Sequence, residues 1–200
     1  MAIPAEPRTQ VIVGHYGLAA GAKSIDVRAP LWSLMLATQW LDVVFIPTFL
    51  LGIETIEILP PGGYGEVVIH ADYTHSLIGA LVLSAAFGAV AWWRWDRRLG
   101  LLLGAVAFSH WVLDLIVHRG DMPILPGNAG NLPLLGFGLW GAPVASILLE
   151  AVLLVLGVFL YWRSARSIQP RPGSRVRPSL VTGALLASGV AVLALDALGI

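Results

Sequence analysis

The sequence predicts an all-α fold: a polytopic membrane helical bundle of five long spans and a short N-terminal helix. Of its 200 residues, 57% are hydrophobic and only 12% are charged, and the mean hydropathy is +0.80. An ordinary soluble domain has about 25% charged residues, so the charges here are too few to cover a water-soluble globule. The apolar residues also occur in runs of about 20, the length that crosses the hydrocarbon core of a bilayer. These observations exclude a soluble enzyme and a disordered chain.

The apolar runs form a single transmembrane domain over residues 1–200. The five long runs lie at about 31–51, 67–93, 99–117, 135–162 and 179–198. A sixth run, 9–22, is apolar over about 14 residues, roughly 21 Å as a helix, and predicts a short span or an interfacial helix. We favour the short span, because it places His15 at the depth of other buried polar residues. The stretch 118–134 is rich in Gly and Pro and predicts a loop, and 163–178 is a basic linker.

The distribution of charge predicts the topology and the partners. Twelve basic and twelve acidic residues cancel, so no net field attracts nucleic acid, and none is expected as a partner. Ten of the twelve basic residues lie in three loops, at 23–30, 94–98 and 163–178. Because cytoplasmic loops of membrane proteins are enriched in Lys and Arg, these three loops are predicted to be cytoplasmic in a multi-pass protein. The opposite loops carry Glu54, Glu57, Glu66 and Asp121.

Several ionisable residues lie in or beside the apolar runs, where each costs about 2.5–3.5 kcal/mol on insertion scales and is a functional candidate. They are His15, Asp42, His70, Asp72, His75, His110, Asp114, Glu150 and Asp196. At about 1.5 Å per residue, Asp42, His75 and His110 are each predicted to lie roughly 11–14 Å below the outer surface. His15 lies near 9 Å if the short helix spans, by the same rise of about 1.5 Å. The sequence therefore predicts one polar layer in the outer half of the bundle.

The run at 99–117 contains the most informative pair. His110 and Asp114 are four residues apart and lie on one helix face, where an imidazole and a carboxylate can both reach one divalent cation. A cation would offset the desolvation of the buried carboxylate, although such a pair can also be a structural hydrogen bond. His70 and His75 are five apart, about 140° around a helix, so both reach one site only if the helix begins between them. Asp72 is a candidate partner that orients a histidine ligand.

The order of these motifs resembles the family of membrane-bound metal-dependent hydrolases, small bacterial inner-membrane proteins. The resemblance covers about residues 14–126 and rests on Gly14-His15, Trp40-Leu41-Asp42, the string His70–Ser76, and Ser109–Asp114 followed by a Gly/Pro loop. The string lacks the family's Arg-Gly, and Asp42 is followed by apolar residues instead of a second acid and a histidine. The resemblance implies an inner-membrane location and a metal site formed by His15, Asp42, His70, His75, His110 and Asp114.

Three functions remain open from the sequence. The first is a metal-dependent hydrolase acting on a lipid-like or phosphoester substrate from the outer half of the membrane. A His/Asp ligand set suits zinc first, with manganese or iron as alternatives, and Asp72 or Asp114 is the candidate general base. The second is a non-catalytic subunit that holds a structural metal and packs against partner membrane proteins. The third is a haem b protein with His75 and His110 as axial ligands, ranked last because it leaves Asp42 and Asp114 unexplained.

Overall fold

A computed structural model describes residues 13–58, 67–167 and 177–198. In these residues it has seven α-helices and one two-stranded hairpin. The elements are α1 (Val13–Ala22), α2 (Leu31–Thr38), α3 (Trp40–Leu50), β1 (Thr55–Ile58), β2 (Val67–His70), α4 (Leu77–Arg94), α5 (Arg97–Val117), α6 (Pro143–Ser167) and α7 (Pro178–Leu198). Four helices, α4 to α7, are long and apolar enough to cross a membrane. The structure thus confirms the predicted all-α class and is compatible with a multi-pass membrane protein.

The span predicted at 31–51 is two helices, α2 and α3, bent by 50°. Just before α2, Arg28 donates to Asp96, the N-cap of α5, at 2.7 Å. Just after α3, Glu54 accepts from the backbone N–H of Thr74, which precedes α4, at 2.8 Å. Because α4 and α5 pack as neighbours joined by a short turn, their first residues lie at opposite ends of the bundle. The bent pair therefore runs from one end of the bundle to the other, as a broken span does, and brings the candidate spans of the described residues to five.

The two ends of the bundle have different structures. The basic end contains the loop from α1 to α2 and the turn from α4 to α5, where buried Asp26 pairs with Arg28 at 2.7 Å and with Arg98 at 3.1 Å. Hydrogen bonds from Arg28 hold the pKa of Asp26 below its usual range. These ion pairs tie the α1–α2 loop to the start of α5. We name the opposite end, which contains β1 and β2, the hairpin end.

The prediction of one helix over 67–93 is wrong in its first ten residues. Residues 67–70 form β2, which pairs antiparallel with β1. The β-branched run at 67–69 favours a strand, and its pairing partner is the separate segment Thr55–Ile58 earlier in the chain. Helix α4 begins only at Leu77, after Ser76, whose hydroxyl accepts from the backbone N–H of Gly79 at 3.0 Å.

The span predicted at 135–162 also begins later than expected, at Pro143. Pro is favoured in the first turn of a helix, where its missing N–H is not needed. The preceding residues belong to a longer ordered loop over the hairpin end. In that loop the backbone of Met122 pairs with Leu135, and the carbonyl of Pro123 accepts from the N–H of Leu77 at 3.0 Å. The loop therefore covers the start of α4.

Helix α1 lies in the middle of the bundle, with eight of its ten residues buried. Residues 9–12 of the predicted short span lie outside the described residues. The ten described residues cover about 15 Å, roughly half of the hydrocarbon core. Their first backbone N–H groups, those of Val13 and Gly14, donate to the buried carboxylate of Glu150 in α6 at 3.1 and 3.4 Å. Glu150 thus ties the first described turn of α1 to α6.

Glycines allow two helix pairs to approach closely. A Cβ atom on Gly17 of α1 would lie 2.4 Å from the carbonyl oxygen of Leu153 in α6. A Cβ atom on Gly100 of α5 would lie 2.8 Å from the carbonyl oxygen of Gly88 in α4. Small residues at a crossing let two backbones touch, which is a common basis of helix packing in membranes. The position of α1 against α6 therefore depends on the absence of a side chain.

Candidate metal centre

Five of the six predicted ligands lie together in one cluster. They come from α1, from α3, from the turn before α4 and from α5, and they are His15, Asp42, His75, His110 and Asp114. Four of the five are nearly fully buried, between 2% and 7% exposed. The side chain of Asp42 is 39% exposed, so the cluster opens on the side of α3.

Three ligand atoms form a nearly equilateral triangle. The Nε2 atoms of His75 and His110 are 3.3 Å apart. Each of them lies 3.5 Å from Oδ1 of Asp42. Ligand bonds of about 2.0–2.1 Å in a tetrahedral site place neighbouring donor atoms about 3.3–3.4 Å apart. The triangle therefore has the dimensions of one face of such a site.

Asp114 lies between this triangle and His15. Its Oδ2 is 3.0 Å from Nε2 of His110 and 3.5 Å from Nε2 of His75. Its Oδ1 is 3.5 Å from Nε2 of His15. His15, His110 and Asp114 make a second group that could hold a metal, with ligand atoms all within 4.8 Å of one another. Both groups include His110, so they share one ligand.

The ring of His110 is oriented by the end of α2. Its Nδ1 lies 2.6 Å from the carbonyl oxygen of Thr38. A carbonyl only accepts hydrogen bonds, so Nδ1 carries a proton, and in the neutral ring Nε2 is the nitrogen whose lone pair faces the cluster. Thr38 is the last residue of α2, and the last carbonyls of a helix have no partner within it. The break between α2 and α3 thus provides the acceptor for His110 and also brings Asp42 to the cluster.

His75 is held by one contact to its backbone and one to its ring. The indole N–H of Trp111 in α5 donates to the carbonyl of His75 at 2.8 Å. Nδ1 of the ring lies 2.9 Å from the hydroxyl of Thr74, and Thr74 in turn contacts the buried carboxylate of Glu54. Glu54 is not among the site residues predicted from the sequence, in which it lies in a predicted loop. The only available signal was that Glu54 is the only charged residue between Asp42 and Glu57.

Two predicted site residues lie apart from the cluster. His70 ends β2, its side chain is 47% exposed, and its Nε2 faces Oε2 of Glu57 at 3.6 Å. His70 and His75 both precede α4, but they lie in different elements. His70 is the last residue of β2, whereas His75 lies in the turn that follows, so the two side chains point in different directions. Asp72 is half-buried in that turn, where its carbonyl accepts from the N–H of Gly127 at 2.9 Å. Its carboxylate belongs to neither group of metal-binding side chains.

The remaining ionisable candidates have other surroundings. Glu150 accepts hydrogen bonds from the first described residues of α1. His118, which continues the stripe of His110 and Asp114, lies 3.1 Å from Asp121 and packs on the ring of Trp140 at 4.3 Å. The side chain of Asp196 in α7 lies outside the described part of the chain. Imidazole nitrogens and carboxylate oxygens without thiolates suit zinc, manganese and iron alike, so the donor set of the cluster does not select among these ions.

Comparisons of the chain with protein-family models, with curated proteins and with solved structures returned no match.

Proposed function

We propose that this is an integral membrane metal-binding protein in which Asp42, His75 and His110 hold one divalent cation. The observation that carries the proposal is the triangle of donor atoms at 3.3, 3.5 and 3.5 Å, with Nε2 of His110 directed into it. Zinc is the first choice, with manganese or iron as alternatives. A cation would also offset the cost of two carboxylates placed among apolar helices.

The proposed activity is hydrolysis of a lipid-like or phosphoester substrate. A divalent ion bound at the triangle supplies a Lewis acid for such a reaction. Asp114 lies beside the triangle and is the general base that accepts a proton from the attacking water. His15, 3.5 Å from the other oxygen of Asp114, orients that carboxylate. The exposed side of Asp42 is the entrance for an amphiphilic substrate. Asp72, the other base predicted from the sequence, has no place in this mechanism because its carboxylate lies outside the cluster.

The proposed location is a bacterial inner membrane with the basic end in the cytoplasm. The support is the concentration of Lys and Arg in the loops of that end and the family resemblance. His110 lies seven residues before the end of α5, about 10 Å along the helix. The cluster would then lie in the extracytoplasmic half of the bilayer.

A second candidate is a non-catalytic subunit with a structural metal site, which would pack against partner membrane proteins. The observation that favours it is the position of Asp114, whose Oδ2 is 3.0 Å from Nε2 of His110. As a fourth protein ligand it would leave no open coordination position, which is typical of structural sites. The haem alternative fits less well, since both carboxylates lie within 3.5 Å of imidazole nitrogens that would have to face a porphyrin.

Zinc binding to the purified protein in detergent tests the proposal. We expect about one equivalent per chain for wild type, as for a mononuclear site, and loss of the ion in His110→Gln and Asp42→Asn. His70→Gln is the matched control and should keep it. Wild type without a tightly bound divalent ion, or equal losses in the His70 and His110 variants, would overturn the proposal.

Asp114→Asn separates the two candidate functions. If Asp114 is a base, the variant keeps its ion and loses hydrolysis of phospholipid in vesicles. If Asp114 is a fourth ligand, the variant loses the ion as well, and the wild type has no hydrolytic activity.

A further inference from the structure

We propose that Glu54 is a positioning residue that acts through Thr74 to select the metal-binding tautomer of His75. The inference rests on the proposed metal site and identifies a device that prepares one of its ligands. Glu54 is 1% exposed and belongs to neither group of described side chains that could hold an ion. Its carboxylate receives hydrogen bonds from the turn that carries His75 and from the hydroxyl of Thr48 in α3.

The hydrogen bonds of Glu54 determine which way the Thr74 hydroxyl points. Oε1 of Glu54 lies 2.9 Å from the backbone N–H of Tyr73 and 2.8 Å from that of Thr74. A backbone N–H only donates, so this oxygen is an acceptor. The hydroxyl oxygen of Thr74 lies 3.0 Å from the same oxygen. The hydroxyl hydrogen of Thr74 is therefore donated to Glu54.

The direction of that hydrogen bond sets the state of the imidazole. A hydroxyl has one hydrogen, and that of Thr74 is used by Glu54, so its oxygen can only accept from Nδ1 of His75 at 2.9 Å. Nδ1 then carries the ring proton and Nε2 presents a lone pair. The carbonyl of Thr38 likewise places a proton on Nδ1 of His110. With both rings neutral, the two Nε2 lone pairs face each other across 3.3 Å, an arrangement that a cation between them would stabilise.

Without the hydrogen bond from Nδ1 of His75 to Thr74, the two metal-free rings could form a hydrogen bond with each other. His75 could carry its proton on Nε2 and donate it to Nε2 of His110, since 3.3 Å is within hydrogen-bond range. In that tautomer Nε2 of His75 carries a proton and cannot bind a metal. Glu54 and Thr74 disfavour this tautomer in the metal-free protein, so the ring does not have to change its tautomer before a metal binds. Hydrogen-bond partners of ligand histidines typically contribute about 10–100-fold to metal affinity.

The test compares variants that keep the hydroxyl group at position 74 with variants that lack it. Thr74→Val has nearly the same shape without the hydroxyl, Thr74→Ala lacks it with less volume, and Thr74→Ser keeps it as the matched control. Nitrogen chemical shifts of labelled histidine report the tautomer in the metal-free protein, with His75 assigned from a His75→Gln spectrum. Zinc affinity is measured in parallel by competition with a chelator.

We expect the Nδ1–H tautomer of His75 in wild type and in the Ser variant. The Val and Ala variants should shift toward Nε2–H and bind zinc about 10–100-fold more weakly. An unchanged tautomer in both the Val and Ala variants would overturn the inference even if zinc binds to wild type. Conversely, a tautomer that depends on the hydroxyl in a wild-type protein that binds no zinc would support the positioning role and refute the proposed function.

Discussion

Replacing Gly157 by Ala tests how the bundle places α1. The new Cβ atom would lie 1.8 Å from the carbonyl oxygen of Gly17 and 2.9 Å from its Cα. Because non-bonded carbon and oxygen atoms need more than about 3 Å, α1 and α6 must separate by roughly 1.2–1.6 Å. Overpacking of this kind costs about 1–3 kcal/mol. His15, two residues before Gly17, would be displaced from Asp114.

Unfolding by a denaturing detergent in mixed micelles, followed by circular dichroism, measures the effect. The matched control is Gly183→Ala in α7, where no other described part of the chain lies within 4 Å of the added Cβ. Since Ala is favoured over Gly in helices by about 1 kcal/mol, the control should be at least as stable as wild type. A Gly157→Ala variant as stable as the control would refute the close packing of α1 on α6. Zinc should still bind to the Gly157 variant, because α1 carries none of the three proposed ligands.

Three other substitutions test the elements that support the site. Glu150→Ala removes the acceptor for the first N–H groups of α1 and should cost about 1–3 kcal/mol, with a smaller loss for Glu150→Gln, measured by the same unfolding assay. Ser76→Ala removes the N-cap of α4 and should cost about 1 kcal/mol, whereas Ser76→Thr should keep most of the stability. Asp26 has a lowered pKa because Arg28 donates hydrogen bonds to it. Its stabilisation is therefore present above its unfolded-state pKa of about 3.9 and is lost as the pH falls through the lower folded value. The stability difference between wild type and Asp26→Asn should be constant from pH ~5 to 8 and shrink below pH ~4, and a difference that grew on acidification would contradict the assigned ion pair.

The helices predicted most accurately were those whose first and last residues are determined by the nearby sequence. The runs predicted at 99–117 and 179–198 are helices at Arg97–Val117 and Pro178–Leu198, since run length and a capping residue act within a few positions. The adjacency of His110 and Asp114 was likewise predictable, because it follows from the helical repeat alone. The start of α4 was not, because β2 pairs with the strand Thr55–Ile58, which lies in a different part of the sequence.

Composition and the lengths of the apolar runs were enough to predict a helical membrane bundle, because the free energy of transferring a helix into lipid is approximately a sum over its residues. The meeting of His15 with Asp114, and the support of His75 by Glu54, depend on contacts between residues far apart in the sequence. Those contacts were decided by a bend between α2 and α3, by a crossing of α1 with α6 and by a hairpin that took His70 elsewhere. Such geometry has no local signature, because it results from the simultaneous packing of all the helices.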